Sequence, residues 1–236
     1  MGNSITIYIK KYKGDGIPFE YNYYLAINFY GKLEIYNNKI RKIHTPESYS
    51  IHTFSNIITK NFKFDDKNLF IEDGIIIFRS LDARLIEYLK LGFAISSDIK
   101  LFQTLFKVEK IKQNDDIFLN KFPVKFKTLS PVVVRDFENP KYYVDSEDRL
   151  IESLKFQIKY FSNKYFNYQP KKLEINLIDI KRKTVRISSS ENKESITTGF
   201  NLKGEIDTDI NTFKLIYYRG LGSKTGLGLG CIEVIQ

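Results

Sequence analysis

The sequence predicts an α+β protein built from two tandem ferredoxin-like (RRM-like) halves, each with the element order β-α-β-β-α-β. Strand-type alternation and helical periodicity succeed one another twice in this order along the chain. A polar break at Gln113–Asp116 separates the two series. The length of 236 residues suffices for two domains of ordinary size. We therefore expect an N-terminal domain at 1–116 and a C-terminal domain at 117–236.

The first half begins with alternating apolar and polar residues over 4–12, which predicts a half-buried strand. Tyr23, Ile27 and Tyr30 then recur at helical spacing and predict a helix within 19–37. The remaining elements predicted for this half are a strand at 50–59, a hairpin at 62–78 that turns at Asp73-Gly74, a helix at 80–95 and a strand at 99–112.

The second half repeats the order with its strongest helix near the middle. That helix is predicted at 146–166, because Leu150, Leu154, Ile158, Phe161 and Tyr165 form one apolar stripe. The other elements predicted are strands at 122–134, 172–188 and 194–206, a short helix at 209–217 and a final strand at 232–235. The second half is thus a shortened version of the same pattern around its second helix.

Composition narrows the function classes. The net charge of +9 favours a polyanionic partner such as nucleic acid, although an anionic membrane surface would also attract this chain. One cysteine and two histidines exclude a disulfide framework within the chain and make a zinc site of thiolates and imidazoles a poor hypothesis. No apolar run approaches the roughly 18 residues that a membrane span needs, and the first residues have the pattern of a strand. We expect a cytoplasmic protein with no metal, no cofactor and no membrane association.

The glycine-rich stretch from Gly220 to Gly230 (Gly-Leu-Gly-Ser-Lys-Thr-Gly-Leu-Gly-Leu-Gly) is the most distinctive motif. Glycine allows positive φ and close backbone approach, and successive exposed N–H groups in such a loop can form an anion-binding concavity. We therefore predict a loop that contacts a nucleic-acid backbone. Its predicted RNA-binding residues are Arg219, Gly220, Gly222, Ser223, Lys224, Thr225, Gly226 and Gly228.

Other glycine motifs fit this stretch poorly. In a P-loop the lysine follows a glycine and a helix begins, whereas Lys224 follows Ser223 and a strand comes next. A dinucleotide-binding motif would need a helix and an acidic residue about 20 positions further on. A flexible hairpin turn is the simple alternative, but five glycines exceed what a hairpin requires.

Form and position of this loop before a terminal strand resemble the signature of the repeat-associated RAMP superfamily. Within that superfamily the chain is similar to the CRISPR repeat-processing endoribonucleases. Three further stretches share the resemblance: Tyr23-Tyr24-Leu25 through Tyr30, Ser50-Ile-His-Thr-Phe-Ser55, and Thr128-Leu-Ser-Pro131 with the three valines after it. Their order and spacing span the whole chain.

The resemblance implies metal-independent cleavage of CRISPR precursor RNA within its repeats. The RNA 2′-hydroxyl would attack the adjacent phosphorus and give a 2′,3′-cyclic phosphate and a 5′-hydroxyl. By the same resemblance His44 is the candidate catalytic histidine and Tyr30 an assisting hydroxyl. Lys42, with Lys39, Arg41 and Lys224 as alternatives, is a candidate for the cation near the phosphate. Some relatives place a lysine a few residues after the histidine, and this chain has none between Glu47 and Ser50. His52 lies in a predicted strand, and we interpret it as a structural residue or an RNA contact.

Basic residues of the second half complete the predicted RNA-binding set: Lys125, Lys127, Arg135, Lys181, Arg182, Lys183 and Arg186. The partner implied is CRISPR repeat RNA, and a CRISPR effector complex and a second copy of the chain are left open as partners. The main alternative function is that of a non-catalytic RNA-binding RAMP subunit of an effector complex.

Overall fold

The computed structural model describes residues 2–35, 50–119, 121–188 and 194–235. Within them the chain divides into two units. The first contains Met1–Asp116 together with Gly226–Gly228, and the second contains Ile117–Thr225 and Leu229–Gln236. In this part of the chain no helix is both long enough and apolar enough to cross a membrane.

The described part of the first unit contains two helices and two antiparallel sheets. Its elements are β1 (Ser4–Lys13), β2 (Ile17–Pro18), α1 (Asn22–Glu34), β3 (His52–Phe54), β4 (Phe62–Phe64), β5 (Asn68–Ile71), β6 (Asp73–Ser80), α2 (Ala83–Ile95), β7 (Asp98–Leu101) and β8 (Thr104–Gln113). The larger sheet has the order β3-β6-β1-β8-β7, and the smaller has the order β2-β5-β4.

Alternation along β1 builds the core of this unit, because Ile5, Ile7 and Ile9 all point inward and are buried. Helix α1 buries Leu25, Ala26, Phe29, Tyr30 and Leu33. The predicted stripe of Tyr23, Ile27 and Tyr30 was therefore correct only at Tyr30, since Ile27 is exposed.

Gly92 lets α1 and α2 approach each other closely. A Cβ atom at this position would lie 2.5 Å from the carbonyl oxygen of Lys32. The two helices therefore depend on glycine at this contact.

Two predicted elements of the first half were wrong. Asp73-Gly74 is not a turn but the start of β6; the hairpin turns at Asp65 instead, whose Oδ1 accepts hydrogen bonds from the N–H groups of Lys67 and Asn68. The strand predicted at 99–112 is a hairpin of β7 and β8 that turns at Phe102. Phe102 has a φ of 58°, a conformation more typical of glycine or asparagine, so no sequence signal marked this turn.

The second unit pairs a four-stranded antiparallel sheet with two helices. Its elements are β9 (Val124–Thr128), α3 (Leu150–Phe166), β10 (Leu173–Ser188), β11 (Glu194–Thr208), α4 (Ile210–Arg219) and β12 (Ile232–Val234). The sheet order is β10-β11-β9-β12. The apolar stripe predicted for α3 is confirmed at Leu150, Leu154, Ile158 and Phe161.

Helix α4 extends two residues beyond the predicted 209–217 and has a clear start signal. Asp209 is its N-cap residue, and the carboxylate accepts hydrogen bonds from the N–H groups of Asn211 and Thr212. Strand β9, in contrast, is shorter than the predicted 122–134, because the chain beyond Thr128 forms only isolated bridges, such as that between Val132 and Phe200.

Candidate functional site

Tyr30 lies in the third turn of α1, and its hydroxyl joins a buried network in the first unit. The side chain is 9% exposed. Its Oη atom lies 2.9 Å from His52 Nε2 and 3.0 Å from the carbonyl oxygen of Gly226. The hydroxyl is therefore held from two directions, by an imidazole and by a backbone carbonyl of the glycine-rich stretch.

His52 is the first residue of β3 and is 1% exposed. Its ring stacks on Phe78 with centroids 5.3 Å apart, and Ser50 Oγ lies 3.0 Å from Nδ1. A phenol has one proton, so if Tyr30 donates it to Gly226, His52 must donate from Nε2 to Tyr30. Ser50 Oγ lies within hydrogen-bonding distance of Nδ1 and donates to the carbonyl oxygen of His52, so the three side chains form one network that ends at Gly226.

Glycines 226 and 228 are required by close packing in the first unit. A Cβ atom at Gly226 would lie 2.6 Å from Tyr30 Oη and 2.8 Å from Ser50 Oγ. Gly228 has a φ of +75°, and its Cβ would lie 2.1 Å from a ring atom of Phe54. These two glycines therefore serve the first unit by letting backbone approach side chains.

Four backbone N–H groups of the glycine-rich stretch, all in the second unit, are not free to bind an anion as predicted. The N–H groups of Gly220, Leu221, Ser223 and Gly230 all donate to backbone carbonyls of this unit. For these amides the prediction of an open anion-binding concavity was wrong, because the backbone hydrogen-bonding capacity is already used.

Arg219 was predicted to contact RNA through its charged side chain, and the structure differs from this prediction. It is 3% exposed, lies 3.4 Å above the ring centroid of Phe161 and donates to the carbonyl oxygens of Gly220 and Gly222. The guanidinium thus fixes the start of the loop from inside. Thr225 is buried as well, as are Gly220 and Gly222, so direct RNA contact at these positions would require the loop to rearrange.

Lys224 is the exposed residue among 220–226. Its φ is 56°. Partial desolvation lowers the pKa of its ammonium group, and the nearby charge of Arg135 lowers it further. A cation whose charge is disfavoured in the free protein gains from a neighbouring anion, which suits a phosphate contact.

The candidate catalytic residues are only partly described. His44 and Lys42 lie outside the described residues. Tyr30 is described, and burial raises the pKa of its phenol well above the usual range. At neutral pH this hydroxyl is therefore neutral and acts as an oriented hydrogen-bonding group.

The prediction that His52 contacts RNA directly was wrong for this structure. Its imidazole is buried, stacks on Phe78 and lies within hydrogen-bonding distance of Tyr30 and Ser50. Its other predicted role, as a structural residue, agrees with this geometry. Sequence reasoning missed Ser50. The available signal was the i, i+2 spacing of Ser50 and His52, which places two polar side chains on one side of an extended segment.

The basic residues of the second half are mostly exposed. Lys125 and Lys127 project from β9, and Lys127 forms an ion pair of 2.9 Å with Glu233. On β10, Lys181 and Lys183 share one face, while Arg182 and Arg186 share the other. All four are exposed. Arg135 is half-buried and lies 5.2 Å from the ring centroid of Tyr143.

Comparison with known proteins places this chain in a family. The family model described as CRISPR associated protein Cas6, C-terminal, matches residues 112–234, just over half of the chain. A Pyrococcus horikoshii protein described as a CRISPR-associated endoribonuclease-like protein, Cas6nc, is 29% identical over 93% of this chain and 94% of its own.

Solved structures agree with this assignment. A structure described as a RAMP protein binding different RNA substrates has a TM-score of 0.85 and 25% identity, and covers 99% of this chain and 100% of its own. A Cas6-related protein from Pyrococcus furiosus has the same TM-score at 24% identity, with 100% and 99% covered, and shows the shared fold. The resemblance to the RAMP superfamily is thereby confirmed, and the chain belongs to the Cas6 family of CRISPR-associated proteins.

Proposed function

We propose that this chain is an endoribonuclease that cleaves CRISPR precursor RNA within its repeats without a metal ion. The observation that carries the proposal is the Cas6 family match over residues 112–234. The similar Pyrococcus horikoshii protein, described as endoribonuclease-like, supports the same activity. In the proposed reaction the 2′-oxygen bonds to the adjacent phosphorus while the bond from phosphorus to the 5′-oxygen breaks. The products are a 2′,3′-cyclic phosphate and a 5′-hydroxyl.

The reaction needs a base that removes the 2′-hydroxyl proton and a donor for the departing 5′-oxygen. We assign the base to His44, because histidine titrates near neutral pH, and the departing 5′-oxygen takes its proton from water. We propose that Lys42 stabilises the negative charge of the phosphate. The assignment of His44 rests on the family resemblance, and that of Lys42 rests on its place two residues before His44. Positioned acid–base groups supply about 10²- to 10⁴-fold each.

Tyr30 is proposed as the oriented hydroxyl of this site. Its raised pKa makes it a poor proton donor by itself but a fixed, neutral hydrogen-bond donor. The contact with His52 Nε2 restricts the direction in which the hydroxyl proton points. Because Tyr30 is buried and donates its proton to the carbonyl oxygen of Gly226, we assign Tyr30 to positioning Gly226, and we assign His52, through Tyr30, to the same positioning.

The RNA-binding surface of the second unit is proposed to include Lys224 and the exposed basic residues of β9 and β10. The lowered pKa of Lys224 and the exposure of Lys181, Arg182, Lys183 and Arg186 support this assignment. Salt-dependent affinity would follow, since lysine and arginine contacts with phosphate release counterions.

Strand order supports the ferredoxin-like arrangement for each unit. In the first unit β3-β6-β1-β8 corresponds to the second, third, first and fourth strands of a βαββαβ motif. In the second unit β10-β11-β9-β12 gives the same order. We accordingly propose that residues 1–116 carry the catalytic site and residues 117–236 carry RNA-binding residues. Contacts with an effector complex or with a second copy of the chain stay predictions.

The test is cleavage of labelled repeat RNA with a chelator present. We expect cleavage that leaves a 5′-hydroxyl and a cyclic phosphate, and no cleavage of RNA with a 2′-deoxy nucleotide at the scissile position. His44→Ala, purified identically, should slow cleavage by about 10²-fold or more and also controls for contaminating nucleases. Intact RNA that is nevertheless bound would exclude the enzyme and favour the RNA-binding subunit. Unchanged cleavage by His44→Ala would exclude only the assignment of His44.

A further inference from the structure

A groove in the surface of the first unit lies between α1 and the turn that joins β7 to β8. Helix α1 lines it with Ile27, Gly31 and Ile35, and the other side contributes Lys100 and Phe102. Nothing lies within 4 Å of a Cβ atom built on Gly31, so the groove is open along the helix at this point. The volume of this α1 groove is about 610 Å³, within the roughly 300–1,000 Å³ of small-molecule sites.

The apolar walls of the α1 groove are left uncovered by the described residues. Ile27 is 49% exposed, Ile35 is 48% exposed and Phe102 is 51% exposed. Single exposed apolar side chains are ordinary on a protein surface, but three that surround one depression indicate a binding site. An apolar molecule of the size of the groove would remove all three side chains from water.

Phe102 stands out among these residues because its φ is 58°. Glycine or asparagine would adopt this conformation with less strain. Core packing does not account for the phenyl ring, since the residue is half exposed and its ring meets Tyr24 edge-on at 6.1 Å. Because strained residues are concentrated at functional sites, the position of this ring supports a ligand in the groove.

Lys32 supplies a cation to the same groove. The residue lines the groove and is 9% exposed, and its ammonium group forms no ion pair or hydrogen bond with any described residue. The ammonium lies 5.6 Å from the ring centroid of Phe93. Desolvation lowers its pKa, and the charge of Asp98 offsets this effect in part. An ammonium that is nearly buried without an ion pair gains free energy when a carboxylate reaches it.

Lys100 adds a second, exposed cation on the other side of the groove. Its backbone is fixed to α1 by the side-chain amide of Asn28, which donates to the Lys100 carbonyl oxygen at 2.8 Å and accepts from the Lys100 N–H at 2.9 Å. The same amide donates to the carbonyl oxygen of Tyr24 at 2.7 Å. Its two N–H donors are therefore used, and the lysines remain to bind a polar group. Since the two lysines outnumber Asp98, that group is an anion.

We infer that the α1 groove binds a small apolar carboxylate, whose charged end contacts Lys32 and Lys100 and whose apolar body packs against Phe102 and the isoleucines of α1. The buried ammonium selects the charge, the uncovered side chains select an apolar body, and the volume sets the size. This site is separate from the proposed cleavage of RNA, and its test does not depend on that activity.

The experiment measures binding of phenylbutyrate and octanoate to the full chain by ligand-observed NMR. Phenylbutyramide keeps the ring of phenylbutyrate and lacks its charge. Lys32→Met replaces the ammonium with an apolar side chain, a change that a nearly buried position tolerates, and Phe102→Gly removes the ring while suiting the local φ. Lys63→Met and Phe64→Ala are the matched controls, because both residues are exposed in the same unit and lie outside the groove. Urea unfolding checks the fold of each variant.

The wild type should bind at least one of the two carboxylates with a Kd of about 1 mM, the affinity of an ordinary ligand of this size. Lys32→Met should weaken this binding about 10-fold or more, the effect of losing a charged hydrogen bond. Phe102→Gly should weaken it about 5-fold through loss of the ring contact. Phenylbutyramide should bind the wild type about as weakly as phenylbutyrate binds Lys32→Met, and the control variants should bind like the wild type.

Absence of binding by both carboxylates at about 10 mM, well above the expected Kd, would overturn the inference. Equal affinity for phenylbutyrate and phenylbutyramide would refute the anion site. An equal loss of affinity in Lys63→Met and Lys32→Met would show that the net charge of the chain attracts the probe without a specific site. A tetrapeptide of three glycines and a C-terminal phenylalanine presents the same ring and carboxylate; if it bound more tightly than both carboxylates, the occupant would be the C-terminus of a partner protein and not a small molecule.

Discussion

Tyr30→Phe removes one buried hydroxyl and nothing else. In the folded protein this oxygen lies 2.9 Å from His52 Nε2 and 3.0 Å from the Gly226 carbonyl oxygen. Each of those groups loses one hydrogen-bond partner, and both are in a region where water cannot readily replace it. A buried polar group deprived of a partner costs about 1–3 kcal/mol. We expect the free energy of unfolding to fall by an amount in this range.

The assay is urea unfolding followed by circular dichroism, read as a shift of the midpoint with the slope m unchanged. In thermal unfolding each kcal/mol corresponds to about 2–4 °C for a chain of this size. Tyr12→Phe is the matched control, because the ring of Tyr12 is exposed and its variant should stay within about 0.5 kcal/mol of the wild type. Equal stability of Tyr30→Phe and the wild type would refute the hydrogen-bond network around Gly226.

A double-mutant cycle tests whether Tyr30 and His52 act together. If the contact at 2.9 Å stabilises the protein, Tyr30→Phe should destabilise less in a His52→Phe background than in the wild type. Residues in contact show coupling energies of about 0.5–3 kcal/mol. Strictly additive effects would show that the two side chains are neighbours without a mutual hydrogen bond.

Three further changes are predicted from local geometry, each measured by urea unfolding. Gly228→Ala should cost about 2–5 kcal/mol, because its φ is +75° and its Cβ would overlap Phe54; a small loss would show that the loop shifts easily. Gly31→Ala should instead stabilise α1 by up to about 1 kcal/mol, since nothing lies within 4 Å of the new Cβ, and destabilisation there would contradict the open space. Asp82→Ala should cost about 0.5–2 kcal/mol at neutral pH through loss of the N-cap bond of α2. The side chain of Arg84 holds the pKa of Asp82 below its ordinary value, so this contribution exists above the unfolded-state pKa and disappears as pH falls through the folded-state pKa; a difference that persists in strong acid would contradict this cause.

Local sequence determined most secondary structure. Helix α3 was predictable because its apolar stripe at Leu150, Leu154 and Ile158 has helical periodicity. The β7–β8 turn was not, because Phe102 adopts a left-handed conformation that residues other than glycine and asparagine rarely adopt. Ile27 was wrongly predicted to lie on the buried side of α1, because an apolar residue can also be exposed and its type does not show which helix face is buried.

The glycine-rich stretch shows where sequence reasoning ends. Its composition by itself indicated a loop that needs unusual backbone conformations, and five of its residues do have positive φ. Only the tertiary structure decided how those conformations are used. Gly226 and Gly228 make room for Tyr30 and Phe54, and Gly220 and Gly222 accept hydrogen bonds from the buried Arg219.

For the candidate site, the sequence by itself determined the residue types, which are a histidine at 44, a helix tyrosine at 30 and an excess of basic residues. Through the resemblance it also indicated the family. The tertiary structure alone decided that Tyr30, Ser50, His52 and Gly226 meet in one hydrogen-bond network. The physical reason is distance along the chain. Tyr30 and Gly226 are separated by 196 positions, and no local pattern encodes which distant backbone carbonyl a buried hydroxyl will find.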